Sequence, residues 1–246
     1  MSNKPLIIAV PSKGRLKEDT IDVFKQAGLT IVYEGDERGY QGKIQENENI
    51  KIMFSSASEI AYQLQSGMVH LGVTGEDLIR ETIYDIDKHV EMISPLGFGH
   101  ADVIVAVPRC WLDVETLFDL NEVAAQFHRV HARRLRVATK YMMITRRHFA
   151  ANGITGYRIV ESLGATEGAP ASEAAECIVD ITSTGQTLKA NHLKILKDGI
   201  ILKSQANLVS SKTAEWSGGA SEYCKDIIAR IRSLNLGDAE ATETVE

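Results

Sequence analysis

The residues with the clearest chemical potential lie in one turn that follows a short apolar run. Residues 177–181 are apolar enough for a buried strand, and Asp180, near the end of that run, could accept hydrogen bonds from ribose hydroxyls. Hydroxyl groups, free backbone amides and a glycine that allows close approach can together bind a phosphate in such a turn. The simpler alternative is a helix cap, which needs only one such residue. We therefore predict a ligand site that consists of Asp180, Thr182, Ser183, Thr184, Gly185, Gln186 and Thr187.

Two further segments carry charged residues in positions suited to a ligand. Lys13 and Arg15 follow the apolar run of residues 6–10 and precede a helical pattern, where cations and helix-start amides can face an anion. A solvated basic turn is the alternative for this pair. Glu167 precedes an Ala-Pro pair, and it either binds ribose hydroxyls or caps a following helix.

The histidines and cysteines do not support a metal site or a nucleophile. His128 and His131 are spaced to share a helix face, but the arginines around them would repel a metal ion. Cys110, Cys177 and Cys224 lie far apart and form no CxxC pair, which argues against both a zinc site and a disulfide framework. We predict no metal site built from protein side chains.

The order of apolar patterns indicates the architecture. Short β-rich runs alternate with stretches of helical period, which is typical of an α/β sheet with parallel strands. We predict a first α/β lobe and a second one that begins near the run of residues 101–107, with residues 195–203 and 206–210 as paired strands returning to the first lobe. The other predicted strands are 6–10, 50–54, 69–73, 135–138 and 177–181, and the predicted helices are 16–27, 57–65, 76–82, 117–131, 141–152 and 222–234.

The composition is that of an ordinary globular protein. The 246 residues are 44% hydrophobic and 24% charged, enough for one or two domains with a large core. The 27 basic and 33 acidic residues give a net charge of -6, so no overall field attracts nucleic acid or an anionic membrane. The amino-terminal apolar run is too short for a signal peptide or a membrane span, and we expect a cytoplasmic protein.

Five motifs resemble one known family. Residues 179–193, VDITSTGQTLKANHL, are similar to the D-x-x-S-T-G-x-T-L-x-A-N-x-L signature of the ATP phosphoribosyltransferases. The remaining motifs occur in the family's order, and they are PSKGRL at 11–16, GVTGED at 72–77, RVATKY at 136–141 and GATEGAP at 164–170.

This resemblance implies a reaction and a role for each candidate residue. The family transfers the 5-phosphoribosyl group from phosphoribosyl diphosphate to N1 of ATP and releases pyrophosphate, as the first step of histidine biosynthesis. The hydroxyl-rich turn would bind the 5′-phosphate, and Asp180 and Glu167 would bind the ribose. Lys13, Arg15 and Arg38 would stabilise the departing pyrophosphate together with Mg²⁺ on the substrate phosphates. No general base is expected, because N1 of adenine attacks in its unprotonated form.

The resemblance also implies a fold. The family has a two-lobed α/β fold similar to the type II periplasmic binding proteins, with mixed sheets and a ligand cleft between the lobes. We expect lobe I to comprise residues 1–98 and 194–236 and lobe II to comprise residues 99–193. Residues 237–246 are acidic and small, and we expect a disordered tail there.

Partners and alternatives follow from the same likeness. The chain is similar to the short form of the family, which works with a regulatory subunit similar to histidyl-tRNA synthetase, usually as a hetero-octamer. One alternative is a solute-binding protein of similar fold, which would bind a ligand without turnover. Another is a phosphoribosyltransferase that uses a base other than ATP, which would share the phosphate loop but not the amino-terminal motif.

Overall fold

A computed structural model of the chain describes residues 4–35 and 39–236. The predicted tail at 237–246 and the candidate residue Arg38 lie outside the described residues. Within these limits the chain divides into two compact units. Of the described residues, the first unit contains those up to His100 and those from Gln205 to Leu236, and the second contains Ala101–Ser204.

The described strands and helices follow in chain order. The strands are β1 (Leu6–Pro11), β2 (Ile31–Tyr33), β3 (Gln41–Ile44), β4 (Asn47–Ser55), β5 (Leu71–Gly75), β6 (Val90–Pro95), β7 (Ala101–Pro108), β8 (Leu135–Thr139), β9 (Tyr157–Glu161), β10 (Cys177–Thr182), β11 (Leu193–Ser204) and β12 (Ala206–Ser211). The helices are α1 (Gly14–Gln26), α2 (Ala57–Ser66), α3 (Glu76–Thr82), α4 (Ile86–His89), α5 (Leu117–His131), α6 (Met142–Ala151), α7 (Gln186–Ala190) and α8 (Gly218–Ser233), with a single 3₁₀ turn at Thr166–Gly168.

The first unit is built on a sheet with the strand order β2-β3-β4-β1-β5-β12-β6. Strand β1 lies inside the sheet and pairs in parallel with both β4 and β5. Its side chains alternate between two cores, with Leu6, Ile8 and Val10 in one and Ala9 in the other. Burial on both faces explains why β1 reads as a continuous apolar run in the sequence.

Helix α2 packs closely against β5, and a glycine makes this approach possible. A Cβ atom added to Gly72 would stand 2.7 Å from Cγ2 of Ile60 and 3.0 Å from Cδ1 of Leu64. Both neighbours are fully buried, so neither has free space to move into. Gly72 belongs to the GVTGED motif, and packing accounts for this position without any ligand.

The second unit contains a sheet with the order β11-β7-β10-β8-β9. Strands β10, β8 and β9 run parallel to one another, whereas β7 is antiparallel to β10 and to β11. Side chains of β7 again alternate between two cores, with Val103 and Val105 in one and Ile104 and Ala106 in the other. The carboxyl ends of β8 and β10 therefore meet at one edge of the sheet.

Most predicted elements match, but one predicted strand pair is wrong. Residues 195–203 and 206–210 do not pair with each other: β11 pairs with β7 in the second unit, and β12 pairs with β5 and β6 in the first. The two segments are both apolar, and each finds its antiparallel partner in its own unit. Residues 194–204 consequently lie in the second unit rather than in lobe I, and the sequence patterns also missed β2, β3, β6 and β9.

Across the described ranges, none of the helices combines the length and the apolar character needed to cross a bilayer.

An ion cluster joins β8 to the segment before β10. Glu176 accepts hydrogen bonds from Nη2 of Arg136 at 2.7 Å, from Nη2 of Arg133 at 3.0 Å and from the Arg136 amide at 2.7 Å. Burial alone would raise the pKa of Glu176, but the hydrogen bonds from Arg136 and Arg133 outweigh it and lower the pKa from 4.5 to about 2. The cluster therefore stabilises the fold only while Glu176 is ionised.

The close packing at Gly72 predicts a loss of stability on substitution. Gly72→Ala should lower the free energy of unfolding by about 1–3 kcal/mol, because the added methyl group overpacks the contact with α2. Gly218→Ala is the matched control, since a Cβ there meets no atom within 4 Å. Urea denaturation of both variants measures the difference, and equal stability of the Gly72 variant and the wild type would contradict the packing argument.

The Glu176 cluster predicts a pH-dependent contribution to stability. Because the folded-state pKa lies below the ordinary 4.5, the stabilisation is complete above that pH and is lost as the pH falls towards 2. Glu176→Gln should lower the free energy of unfolding at pH 7 by at most about 3 kcal/mol, and much less at pH 3. Urea denaturation at both pH values tests this, with Glu215→Gln in the exposed ion pair to Lys4 as control. A difference that stays constant with pH would refute it.

Candidate functional site

The hydroxyl-rich loop follows β10 and consists of residues 182–187. Oγ1 of Thr182 accepts a hydrogen bond from the Gly185 amide at 2.9 Å, and Oγ1 of Thr184 accepts a longer one from the Gln186 amide at 3.4 Å. Gly185 has a φ of +68°, in the left-handed region that favours glycine. These contacts hold the loop in a tight turn before α7.

The same loop leaves several donors available to a ligand. Neither the Ser183 amide nor the Thr184 amide has a hydrogen-bond acceptor among the described residues, and the Ser183, Thr184 and Thr187 side chains are exposed. Helix α7 has only five residues, so its dipole adds little. The loop is therefore suited to bind a phosphate through neutral amides and hydroxyls. A role limited to helix capping would leave most of these groups unexplained.

Asp180 lies on β10 directly before the loop and is only partly exposed. Its Oδ1 accepts a hydrogen bond from the Ile181 amide at 2.8 Å. Burial raises the pKa of Asp180 above its ordinary value, and the negative charge of Glu167 adds to this effect. The Ile181 amide and the positive charge of Lys140 act in the opposite direction. Asp180 is thus a carboxyl group whose ionisation depends on its neighbours.

Glu167 lies in the 3₁₀ turn Thr166–Gly168, close enough to interact electrostatically with Asp180. The turn is anchored by Thr166, which is buried and donates a hydrogen bond through Oγ1 to Oγ of Ser162 at 3.0 Å. No helix begins directly after Glu167, so the alternative role as a helix cap has no support. Glu167 is therefore a second carboxylate near Asp180, which precedes the loop.

Lys140 is a charged neighbour of Asp180 that is not among the predicted site residues. It follows β8 directly, and the parallel register pairs Cys177 with Val137 and Ile178 with Ala138. Continued by two residues, this register brings Lys140 to the level of Asp180. Its Nζ lies 4.9 Å from the centroid of the Tyr141 ring. The position of Lys140 just after a predicted strand was the signal that could have found it.

Lys13 and Arg15 lie in the first unit, at the start of α1. Both side chains are exposed, and neither has a hydrogen-bond or ion-pair partner among the described residues. The first turn of α1 contains no acidic residue, so its amides and both cations are available to an anion. The other predicted site residues with described positions, Glu167, Asp180 and the loop, belong to the second unit.

A cavity of about 560 Å³ lies beside Lys13 in the first unit. It is lined by the exposed aromatic ring of Tyr40 and by polar side chains of Ser12, Ser56 and Glu59. Ser56 and Glu59 are fixed by a reciprocal capping box at the start of α2. The volume falls in the range of small-molecule sites, and its lining provides both stacking surface and hydrogen-bonding groups.

The described residues contain no group of three or more histidine, cysteine, aspartate or glutamate side chains that could hold a metal ion. Cys177 and Cys224 are buried, and burial raises the pKa of both thiols, that of Cys224 to about 11. A thiol with a raised pKa is a poor nucleophile at neutral pH.

Known proteins resemble this chain in sequence and in fold. An ATP phosphoribosyltransferase of Nitrobacter hamburgensis is 59% identical over 227 residues, which cover 92% of this chain and 70% of that protein. The structure of the ATP phosphoribosyl transferase (HisG:HisZ) complex from Thermotoga maritima has a TM-score of 0.71 at 22% identity and covers 96% of this chain and 100% of that one. A probable amino-acid ABC transporter extracellular-binding protein from Bacillus subtilis has a TM-score of 0.53 at 11% identity, with 94% and 92% covered.

The two structural likenesses confirm the predicted α/β fold of the type II periplasmic-binding-protein class. A family model described as HisG, ATP phosphoribosyltransferase, matches residues 56–233. This match contains four of the five motifs on which the resemblance was based. Together with the high identity to the Nitrobacter enzyme, it leads to one conclusion: the chain belongs to the ATP phosphoribosyltransferase family.

Proposed function

We propose that the chain transfers the 5-phosphoribosyl group from phosphoribosyl diphosphate to N1 of ATP, which releases pyrophosphate and forms phosphoribosyl-ATP. This is the first step of histidine biosynthesis. The observation that carries the proposal is the loop after β10, where unpaired amides and exposed hydroxyls follow a partly buried aspartate. A phosphate next to a ribose is the ligand that this combination fits.

In the second unit, the loop binds the 5′-phosphate and the carboxylates bind the ribose. The amides of Ser183 and Thr184 and the hydroxyls of Thr184 and Thr187 donate hydrogen bonds to phosphate oxygens. Gln186 contributes as part of the same turn. Asp180 and Glu167, once ionised, accept hydrogen bonds from ribose hydroxyls, as charged acceptors form stronger bonds than neutral ones.

In the first unit, Lys13 and Arg15 stabilise the pyrophosphate that leaves. Negative charge builds up on this group as the bond to the anomeric carbon breaks, and fixed cations lower the energy of that transition state. We assign the same role to Arg38. The cavity beside Lys13 is our candidate for the ATP site, because it offers a stacking surface for adenine next to a cation. N1 of adenine attacks as a free base, so no residue has to remove a proton.

Members of this family need a divalent metal, and we propose Mg²⁺. Mg²⁺ is usually bound through substrate phosphates with one or two protein carboxylates, and we propose that the substrate phosphates provide most of its ligands here. When bound to the substrate, the ion would supply positive charge that supplements Lys13 and Arg15 as the pyrophosphate leaves.

We also propose a partner. The Thermotoga maritima relative was solved as a HisG:HisZ complex. By this analogy the chain works with a HisZ-type regulatory subunit, similar to histidyl-tRNA synthetase, in a hetero-octamer. We further propose that the enzyme acts in the cytoplasm.

The reaction is tested by mixing the purified chain with ATP, phosphoribosyl diphosphate and Mg²⁺, with and without a HisZ-type subunit. We expect near-ultraviolet absorbance of phosphoribosyl-ATP and release of pyrophosphate only when both substrates are present. Binding of phosphoribosyl diphosphate without product in either mixture would favour a solute-binding protein. Product formation from a nucleophile other than ATP would favour a different phosphoribosyltransferase.

The role of Asp180 predicts a selective kinetic effect. Asp180→Asn should raise KM for phosphoribosyl diphosphate roughly tenfold or more, because a charged acceptor for ribose hydroxyls becomes a neutral one. KM for ATP should change little. Asp113→Asn, at an exposed position in the same unit, serves as control. Steady-state kinetics with each substrate varied in turn provide the measurement. Wild-type constants for the Asp180 variant would contradict the role of Asp180 in binding the ribose.

A further inference from the structure

We propose that Lys140 is a substrate-binding residue whose ammonium group contacts the 5′-phosphate held by the loop of residues 182–187. This inference rests on the proposed function, and it adds the cation that the bound phosphate requires in the second unit. Lys140 lies outside the set of site residues predicted from the sequence.

The loop has donors but no charge of its own. None of the residues 182–187 is ionisable at neutral pH, whereas a phosphate monoester carries about -1.5 to -2 charges. Asp180 and Glu167 stand beside the loop and interact electrostatically with each other. A phosphate bound here meets two carboxylates of the same sign. A nearby cation is therefore needed to balance the site.

The strand register brings Lys140 to this point. Strands β8 and β10 are parallel, with Ile178 opposite Ala138, so the residues that follow both strands emerge at the same edge of the sheet. Lys140 follows β8 in the way that the loop follows β10. Among the described charged groups, Lys140 is the cation that acts on Asp180.

The other charged groups near this edge are less suited to the role. On the β7 side, Asp102 lies opposite Thr182, and Lys203 of β11 lies opposite Asp102. Glu161 of β9 lies opposite Thr139 and is acidic. Lys189 lies in the last turn of α7, at the opposite end of that helix from the loop. Strand β7 separates Lys203 from β10, because the sheet order is β11-β7-β10-β8. Lys140 follows the neighbouring strand β8, so it is the cation best placed for the loop.

The Lys140 ammonium group is available to a ligand, and an aromatic ring supports its position. Its side chain is exposed and forms no hydrogen bond or ion pair with the described residues. The ammonium group instead lies 4.9 Å from the ring centroid of Tyr141, which is buried. A cation over an aromatic face is weakly attracted to it. The Tyr141 amide donates to Oγ1 of Thr139 at 2.8 Å, which fixes this support.

Lys140 has a second effect, on the ionisation of Asp180. Burial raises the pKa of Asp180, and Glu167 raises it further, whereas Lys140 lowers it. Without Lys140 the pKa of Asp180 rises, so the carboxylate is lost at a higher pH. Removal of the lysine should therefore shift the acidic limb of the kcat/KM profile for phosphoribosyl diphosphate to higher pH.

The test compares Lys140→Gln and Lys140→Arg with Lys189→Gln, an exposed lysine in α7, as the matched control. Ribose 5-phosphate is the probe, because it carries the 5′-phosphate but lacks the pyrophosphate group. Isothermal titration calorimetry should show that its dissociation constant rises about tenfold in Lys140→Gln and stays within about threefold in Lys140→Arg. The Lys189 variant should bind like the wild type. Circular dichroism confirms that each variant is folded.

Kinetics provide the second readout. In Lys140→Gln, KM for phosphoribosyl diphosphate should rise in parallel with the dissociation constant, while KM for ATP stays unchanged. Unchanged ribose 5-phosphate binding in Lys140→Gln, or an equal loss in the Lys189 control, would overturn the inference. If the wild type binds ribose 5-phosphate but forms no phosphoribosyl-ATP, the proposed function fails, and the calorimetric comparison still decides the role of Lys140.

Discussion

Parallel pairing of β8 with β10 is the constraint on which the candidate site depends. The first residues of β10, Cys177 to Val179, are fully buried, and the register with β8 is set within this apolar part of the strand. Because the buried residues fix the register, the polar residues at the carboxyl ends of β8 and β10 stay close to each other. Hydrophobic burial thus positions Asp180 and Lys140, although neither belongs to the core.

This arrangement balances opposing electrostatic effects. Asp180 is buried enough for its pKa to rise, and Glu167 strengthens that tendency, while Lys140 and the Ile181 amide oppose it. The adjoining loop contributes only neutral donors, so the charge state of the site is set by residues outside the loop. Binding of a phosphate would add a further negative charge and exclude water, which increases the importance of each neighbouring charge.

In the first unit, residues of two family motifs have different physical roles. Lys13 and Arg15 of the PSKGRL motif are exposed and available to an anion, which agrees with a role in binding. Gly72 of the GVTGED motif is instead explained by the close approach of α2, where a side chain would collide with Ile60. A motif residue that contacts no ligand can therefore still be required by the packing that supports the site.

The residue types that make the loop a candidate phosphate site are recognisable in the sequence, because its hydroxyls, its glycine and Asp180 all belong to one short segment. Helices such as α3 and α5 were predicted with their observed ends, since helical periodicity is also a local property. Pairing between strands is not local: the apolar segments that form β11 and β12 looked like partners but join different sheets. For the same reason, only the tertiary structure decided which charges surround Asp180. Lys140 and Asp180 are forty positions apart in the chain, and they become neighbours because β8 and β10 pair in a buried sheet.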